Sequence, residues 1–142
     1  MSNDRFDQSS YLSVLSRSPA AVVKQFADAL IPELGCIEVV RNHTGLVMVP
    51  MSDTGKGAAF YLGEALIAEA HVRVGTIEGY GACLGRDLEQ ALAIALIDAA
   101  IVTGIAREQI GAFIQAQAAA LAEADQLLLQ HVETTRVEME TF

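Results

Sequence analysis

Between Tyr11 and Leu30 apolar residues return at helical spacing, through Leu12, Leu15, Val22, Val23, Phe26 and Leu30, and Pro19 after Ser18 divides the stretch. Proline fits the first position of a helix and kinks or breaks its interior, so the pattern predicts two helices in a hairpin. Pro32 and Gly35 are expected to close it. The residues ahead of it, Met1 to Ser10, are polar and are expected to be loose.

The apolar period then changes from near four to two. Cys36 to Asn42 and Leu46 to Met51 are short runs rich in β-branched residues, and Asn42-His43-Thr44-Gly45 between them reads as a hairpin turn. A loop from Ser52 to Ala58 follows, with glycines on both sides of Lys56. Ala59 to Leu62, Ala65 to Val74 and Ile77 to Leu84 read as further strands, turning at Gly63-Glu64 and Gly75-Thr76. Side chains alternate along a strand, which places Leu66, Ala68, Ala70, Val72 and Val74 on one face and Glu69, His71 and Arg73 on the other. One face is therefore buried and the other wet. Short turns between period-two runs predict an antiparallel meander, because parallel strands need long crossovers.

Helices then take over. Asp87 has the character of an N-cap, with Gln90 at the third helical position, and opens a helix running to about Thr103 that stops at Gly104. Its apolar residues form two stripes, Leu88, Leu92, Ala95, Ala99 and Val102 on one and Ile94, Ile97 and Ile101 on the other, so the helix is buried on more than one side. From Arg107 to His131 the residues Ile110, Ile114, Gln117, Leu121, Ala124 and Leu128 alternate in steps of four and three, the spacing of a helical seam. Packing on its own domain is the plainer use of that stripe, an intermolecular seam the sharper one. The tail from Val132 to Phe142 has no clear period, and Thr134, Thr135 and Val137 suit a short strand. The expected fold class is α+β: an antiparallel meander flanked by an N-terminal helical hairpin and two long C-terminal helices, in one domain spanning residues 1–142.

Composition narrows the function. Of 142 residues 52% are hydrophobic and 19% charged, apolar enough that part of the surface is expected to face a partner. Lys and Arg number 9 against 18 Asp and Glu, for a formal charge of -9, a field that repels phosphate backbones and anionic lipid. Neither nucleic acid nor membrane is an expected partner, and Asp98 interrupts the longest apolar run. Cys36 and Cys83 each sit in an apolar stretch and read as reduced core thiols; with no signal-peptide profile at the N-terminus, the cytoplasm is the expected compartment.

Candidate chemistry is sparse. Two isolated cysteines do not make an iron-sulfur site, and His43, His71 and His131 are too scattered for zinc. Asp53-Thr54-Gly55-Lys56-Gly57 has the composition of a phosphate-binding loop but not the spacing: an earlier Gly is missing and Gly57 stands where Ser or Thr is needed. A surface loop is the better reading. Glu69, His71 and Arg73 on one strand face have the residue types of an acid-base set, but a mixed-charge ladder on a wet sheet face uses the same residues. Asp98 within an apolar helix needs a partner or hydrogen bonds, with Arg73 and Arg86 as candidates.

Taken together, several segments resemble one family. Tyr11-Leu12-Ser13-Val14-Leu15-Ser16-Arg17 resembles its opening helix, and His43-Thr44-Gly45-Leu46-Val47-Met48-Val49 its central hairpin. Thr54-Gly55 followed by Phe60-Tyr61-Leu62-Gly63-Glu64 is similar to its glycine loop and next strand. Gly85-Arg86-Asp87 leading into Ala91 and Ala95-Leu96-Ile97-Asp98-Ala99 is the most distinctive match, and Thr135-Arg136-Val137-Glu138 also fits. These run in order over nearly the whole chain and mark a resemblance to the PhnG family, the G subunits of the carbon-phosphorus lyase core complex. Departures fall at His43, at Ala68-Glu69, at Gln90 and Leu92, and at Met139-Glu140.

The resemblance implies assembly with the PhnH, PhnI and PhnJ subunits, and functionally with PhnL. In such a complex the I subunit displaces adenine from MgATP with a phosphonate such as methylphosphonate, giving a ribose 1-phosphonate 5-triphosphate, and the J subunit later breaks the carbon-phosphorus bond. The resemblance implies no catalytic, cofactor-binding or metal-binding residue in this chain. Thr54, Gly55, Arg86, Asp87, Asp98 and Arg136 are the candidate interface or structural residues. Two other functions fit the general features: a free-standing α+β homodimer binding a small ligand, and an independent acid-base enzyme using His71.

Overall fold

The computed structural model describes residues 7–53 and 58–140, with side chains described for 7–48 and 63–131. Helices α1 (Gln8–Arg17) and α2 (Ala20–Leu34) form the hairpin, and strands β1 (Ile37–Asp53), β2 (Ala58–Val74) and β3 (Ile77–Leu84) form an antiparallel sheet in the order β1-β2-β3. Helices α3 (Leu88–Thr103) and α4 (Arg107–Glu140) complete the α+β fold.

The break between α1 and α2 follows from Pro19, whose extended backbone (ψ 132°) stops α1, and whose carbonyl accepts from Val22 and Val23 N–H as α2 begins. Ser18, buried beside it, donates its hydroxyl to the Val14 carbonyl at 2.7 Å. Helix α2 runs through Pro32 and ends at Gly35, whose φ of 83° is the left-handed geometry that glycine adopts at little cost. Helix α1 starts at Gln8, so the end of the segment expected to be loose is helical.

The sheet has three long strands rather than five short ones. Asn42-His43-Thr44-Gly45 makes no turn: these residues pair with Ala70, Glu69, Ala68 and Ile67 across β2. Gly63-Glu64 likewise lies inside β2, opposite Val49 and Met48. The turn signals failed because neither Gly45 nor Gly63 takes the positive φ such turns need, whereas Gly75 does (φ 65°) and does turn the chain. Register shifts between Val39 and Arg41 and between Val49 and Pro50 bracket the middle of β1. Both are edge-strand irregularities that limit further pairing.

Helix α3 is the centre of the molecule. The sheet packs on one side of it and α2 on another, with α1 against both α3 and β3, so Ala93 through Ala100 are all buried. Its approach to β3 is close: a methyl group on Gly79 would overlap the Ala95 carbonyl and reach within 2.9 Å of Ala99, and one on Gly81 would overlap the Ala91 carbonyl. Ala91, Ala95 and Ala99 fall one helical turn apart and lie over two glycines at strand period, so small residues on both surfaces set the spacing. Ala68, Ala70 and Val72 continue the buried face across β2, while Glu69, His71 and Arg73 point away from the helices, as alternation requires.

Ile110 and Ile114 bury the start of α4, and the Phe113 ring stacks on Phe26 with centroids 4.1 Å apart. The helix continues to Glu140, where a strand was expected over Thr134 to Val137; nothing in that stretch breaks a helix, and β-propensity alone is a weak guide. Both cysteines are free, but only Cys83 is a core thiol; Cys36 is exposed at the start of the sheet.

Candidate functional site

The β3-to-α3 junction begins at Gly85, with φ 99° and an N–H donated to the Leu66 carbonyl at 2.8 Å. Asp87 then caps α3: its Oδ1 accepts the Gln90 N–H at 3.0 Å. That hydrogen bond is the main reason its carboxyl is held below its ordinary range, with Lys24 Nζ, 3.1 Å from Oδ2, adding to it. Lys24 also reaches Glu89 at 3.4 Å, and its ammonium pKa is raised chiefly by the Asp87 hydrogen bond. The Gln90 side chain is buried and turns away to donate to the Ser18 carbonyl at 3.3 Å, tying α3 to the α1–α2 corner. Burial pushes the nearby Cys83 thiol up, which keeps it protonated and unreactive.

Arg86, between these residues, has an exposed side chain that forms no ion pair among the described residues. The expectation that Arg86 or Arg73 would neutralise Asp98 is incorrect. Asp98 is 1% exposed and is held by three neutral donors from two elements, α1 and β3. The Tyr11 hydroxyl donates to Oδ1, the backbone N–H of Tyr80 to Oδ2 at 2.9 Å, and Gln8 Nε2 lies 3.3 Å from both oxygens. Burial, and then the Asp98 carboxylate, raise the Tyr11 hydroxyl pKa well above its usual value. β3 pairs with β2 alone, so a carboxylate from α3 satisfies an N–H on the sheet's free edge and joins it to α1. Sealed in this way, Asp98 is a structural node that no substrate reaches.

On the opposite sheet face the charged residues form a ladder. Glu69 accepts from the Tyr80 hydroxyl at 2.6 Å and lies 3.5 Å from His43. His71 meets Glu78 at 2.9 Å, and Arg73 reaches Glu38 at 3.2 Å. Tyr80 is pushed up to about 12, by burial first and the Glu69 hydrogen bond second. Glu69, His71 and Arg73 are thus each occupied by a cross-strand neighbour on an open face, rather than converging on one point.

A groove of about 260 Å³ runs between α2 and α3, floored by Ala27, Ile31, Leu92, Ala93 and Leu96. Lys24, Asp28 and Glu89 are its charged lining, and the one cation there is already paired with carboxylates. Its field opposes an anionic ligand. No group of three His, Cys, Asp or Glu among the described residues is placed to hold a metal ion. No helix among them is long and apolar enough to cross a membrane.

Of the sequence-derived candidates, Asp87 and Asp98 are well separated, one at each end of the buried part of α3. Thr54 and Gly55 lie outside the described residues, as does the loop compared with a phosphate-binding motif, and Arg136 is placed by its backbone alone, on α4. Sequence reasoning missed Gln8, Tyr11 and Tyr80 around Asp98, because 90, 87 and 18 residues separate them from it. It also missed Gly79 and Gly81, although two glycines at strand period ahead of alanines at helical period are a readable sign of close packing.

Residues 7–142 match the protein family described as "Phosphonate metabolism protein PhnG". The chain is also 32% identical, over 131 residues, to the "Alpha-D-ribose 1-methylphosphonate 5-triphosphate synthase subunit PhnG" of Rhizobium meliloti (strain 1021). That alignment covers 92% of this chain and 84% of the relative.

Proposed function

The chain belongs to the PhnG family of phosphonate metabolism proteins, and from that premise we propose that it is a non-catalytic subunit of a ribose 1-phosphonate 5-triphosphate synthase. In this reading it assembles with homologues of the PhnH, PhnI and PhnJ subunits, with PhnL acting alongside, in the cytoplasm. It supports the attack of a phosphonate such as methylphosphonate on MgATP, with release of adenine, and carries no cofactor of its own. The observation that carries the reading is identity along nearly the whole chain to a protein named as a subunit of that synthase.

The chemistry of the described residues supports it. The buried carboxylate is sealed, His43 and His71 are tied in an exposed ladder, and the groove offers an anion no unpaired cation. Apolar side chains meanwhile stay exposed along β1 and α4, among them Val39, Leu46, Met48 and Leu127 to Leu129, as on a subunit whose neighbours complete it. Tagged chain expressed with homologues of the other subunits should co-purify with them in fixed stoichiometry. A stable homodimer that captures none of them would favour a free-standing ligand-binding protein instead.

A further inference from the structure

Helix α4 leaves the body of the protein before it ends. Ile110 and Ile114 are buried and Leu121 is half-buried, but every residue from Ala122 to His131 is exposed, although the helix continues to Glu140. The Arg17–Asp125 ion pair, 3.1 Å long and itself exposed, tethers it to α1. The 19 residues beyond Leu121 extend roughly 28 Å at the usual helical rise. A helical stretch exposed at every position, as Ala122 to His131 is, is marginal in water, because most helical stability in proteins comes from packing one face.

The residues on this arm describe what covers it. Leu127, Leu128 and Leu129 are 63%, 62% and 64% exposed. Consecutive helical residues point about 100° apart, so together these three sweep roughly 200° of the circumference. One facing helix covers a narrower stripe than that, so the arm fits a cleft that contacts it on two sides. Its charge is one-signed: Glu123, Asp125, Glu133, Glu138 and Glu140 stand against Arg136 alone. Two copies of the arm side by side would repel, whereas a cleft with an apolar floor and a rim of lysine and arginine would match both its leucines and its carboxylates.

Resting on the proposed role as a synthase subunit, we infer that the distal half of α4 is a docking arm that inserts into an apolar, basic-rimmed cleft of another subunit. The arm is thus a principal anchor of this chain in the assembly. The leucines supply the buried contact, and the acidic residues on either side set orientation and speed of capture.

The test uses the full chain co-expressed with homologues of the other synthase subunits, in four forms: parent, Leu127→Gln/Leu128→Gln/Leu129→Gln, Glu123→Lys, and Leu84→Gln as an exposed apolar control at the end of β3. The leucine variant should bind the assembly roughly 100-fold more weakly or worse, with thermal unfolding of the isolated chain little changed because these side chains are mostly in solvent. Glu123→Lys should bind more weakly in low salt and approach the parent as salt rises. The β3 control should bind like the parent. Amides beyond Leu121 should exchange quickly in the isolated parent and slowly in the complex. Capture of the leucine variant as tight as the parent overturns the arm and leaves the subunit role standing; failure of the parent to capture any subunit overturns both. A parent that self-associates through these leucines, losing its dimer in the triple variant, assigns the surface to a second copy and overturns the cleft.

Discussion

Replacing Asp98 with Ala removes the acceptor shared by α1, β3 and α3. The Tyr11 hydroxyl and the Tyr80 N–H are then left in a site that is 1% exposed, and each buried donor without a partner costs about 1–3 kcal/mol. Gln8, nearer the surface, can turn to water, so the loss is about 4 kcal/mol once a small cavity is added. That is a large part of the 5–15 kcal/mol typical of a domain (about that range). Tyr11→Phe removes one donor to a charged acceptor and should cost about 1.5–3 kcal/mol. In the Asp98→Ala background the tyrosine's hydrogen bond to Asp98 is already gone, so the double variant should cost less than the sum by about 1–2 kcal/mol. Asp98→Asn should be milder than Ala: the Tyr11 hydroxyl can reverse to accept from the new amide, while the remaining oxygen serves Tyr80 N–H. Urea unfolding of the parent and the four variants, followed by circular dichroism, measures all of these differences. An Asp98→Ala cost below about 1 kcal/mol, or strictly additive effects, would refute the idea that this carboxylate joins three elements.

Gly81→Ala should destabilise by at least about 1–3 kcal/mol in the same assay, because its methyl group meets the α3 backbone, while Gly45→Ala, with no atom within 4 Å, should be near neutral. Asp87→Ala should cost about 0.5–2 kcal/mol. Its folded pKa lies below the unfolded value of 3.8, so the contribution of Asp87 is present above pH 3.8 and fades as pH falls through the folded pKa; acid titration of the variant should show a shallower loss. Tyr80 has a raised pKa, from 10.0 to about 12, so its contribution is complete below pH 10 and disappears as pH climbs through 12. Tyr80→Phe should therefore flatten the alkaline limb of the stability curve measured by thermal melts. Arg86→Ala should melt within about 0.5 kcal/mol of the parent, like exposed Arg107→Ala, since neither side chain holds a buried charge; any larger effect of Arg86 belongs in pull-down of the complex.

The elements that could be read from the chain are those set by local chemistry. Asp87 and Gly104 bound α3 as expected, because an N-cap acceptor and a left-handed glycine act within one turn of the helix end. The two faces of β2 followed from alternation, and Gly75-Thr76 turned where glycine supplied a positive φ. Asn42 to Gly45 and Gly63-Glu64 carried equally good turn composition and stayed extended, since pairing over 17-residue strands outweighs a local preference of a few tenths of a kcal/mol, about the scale of β-propensity. The partners of Asp98 were hidden for a different reason. A carboxylate in an apolar helix announces that it needs donors, but a tyrosine hydroxyl, an amide and an edge-strand N–H leave no charge pattern that points back to it. The seam on α4 divided between its two readings: Ile110 and Ile114 pack on the domain, whereas Leu128 faces solvent.

Adenine release from MgATP in the presence of methylphosphonate tests the central claim most directly, measured with the other synthase subunits and with this chain included, omitted or alone. The subunit account predicts release when all are present, a collapse when this chain is left out, and none from the chain by itself. Undiminished release without it, or turnover by the isolated chain, would contradict the account.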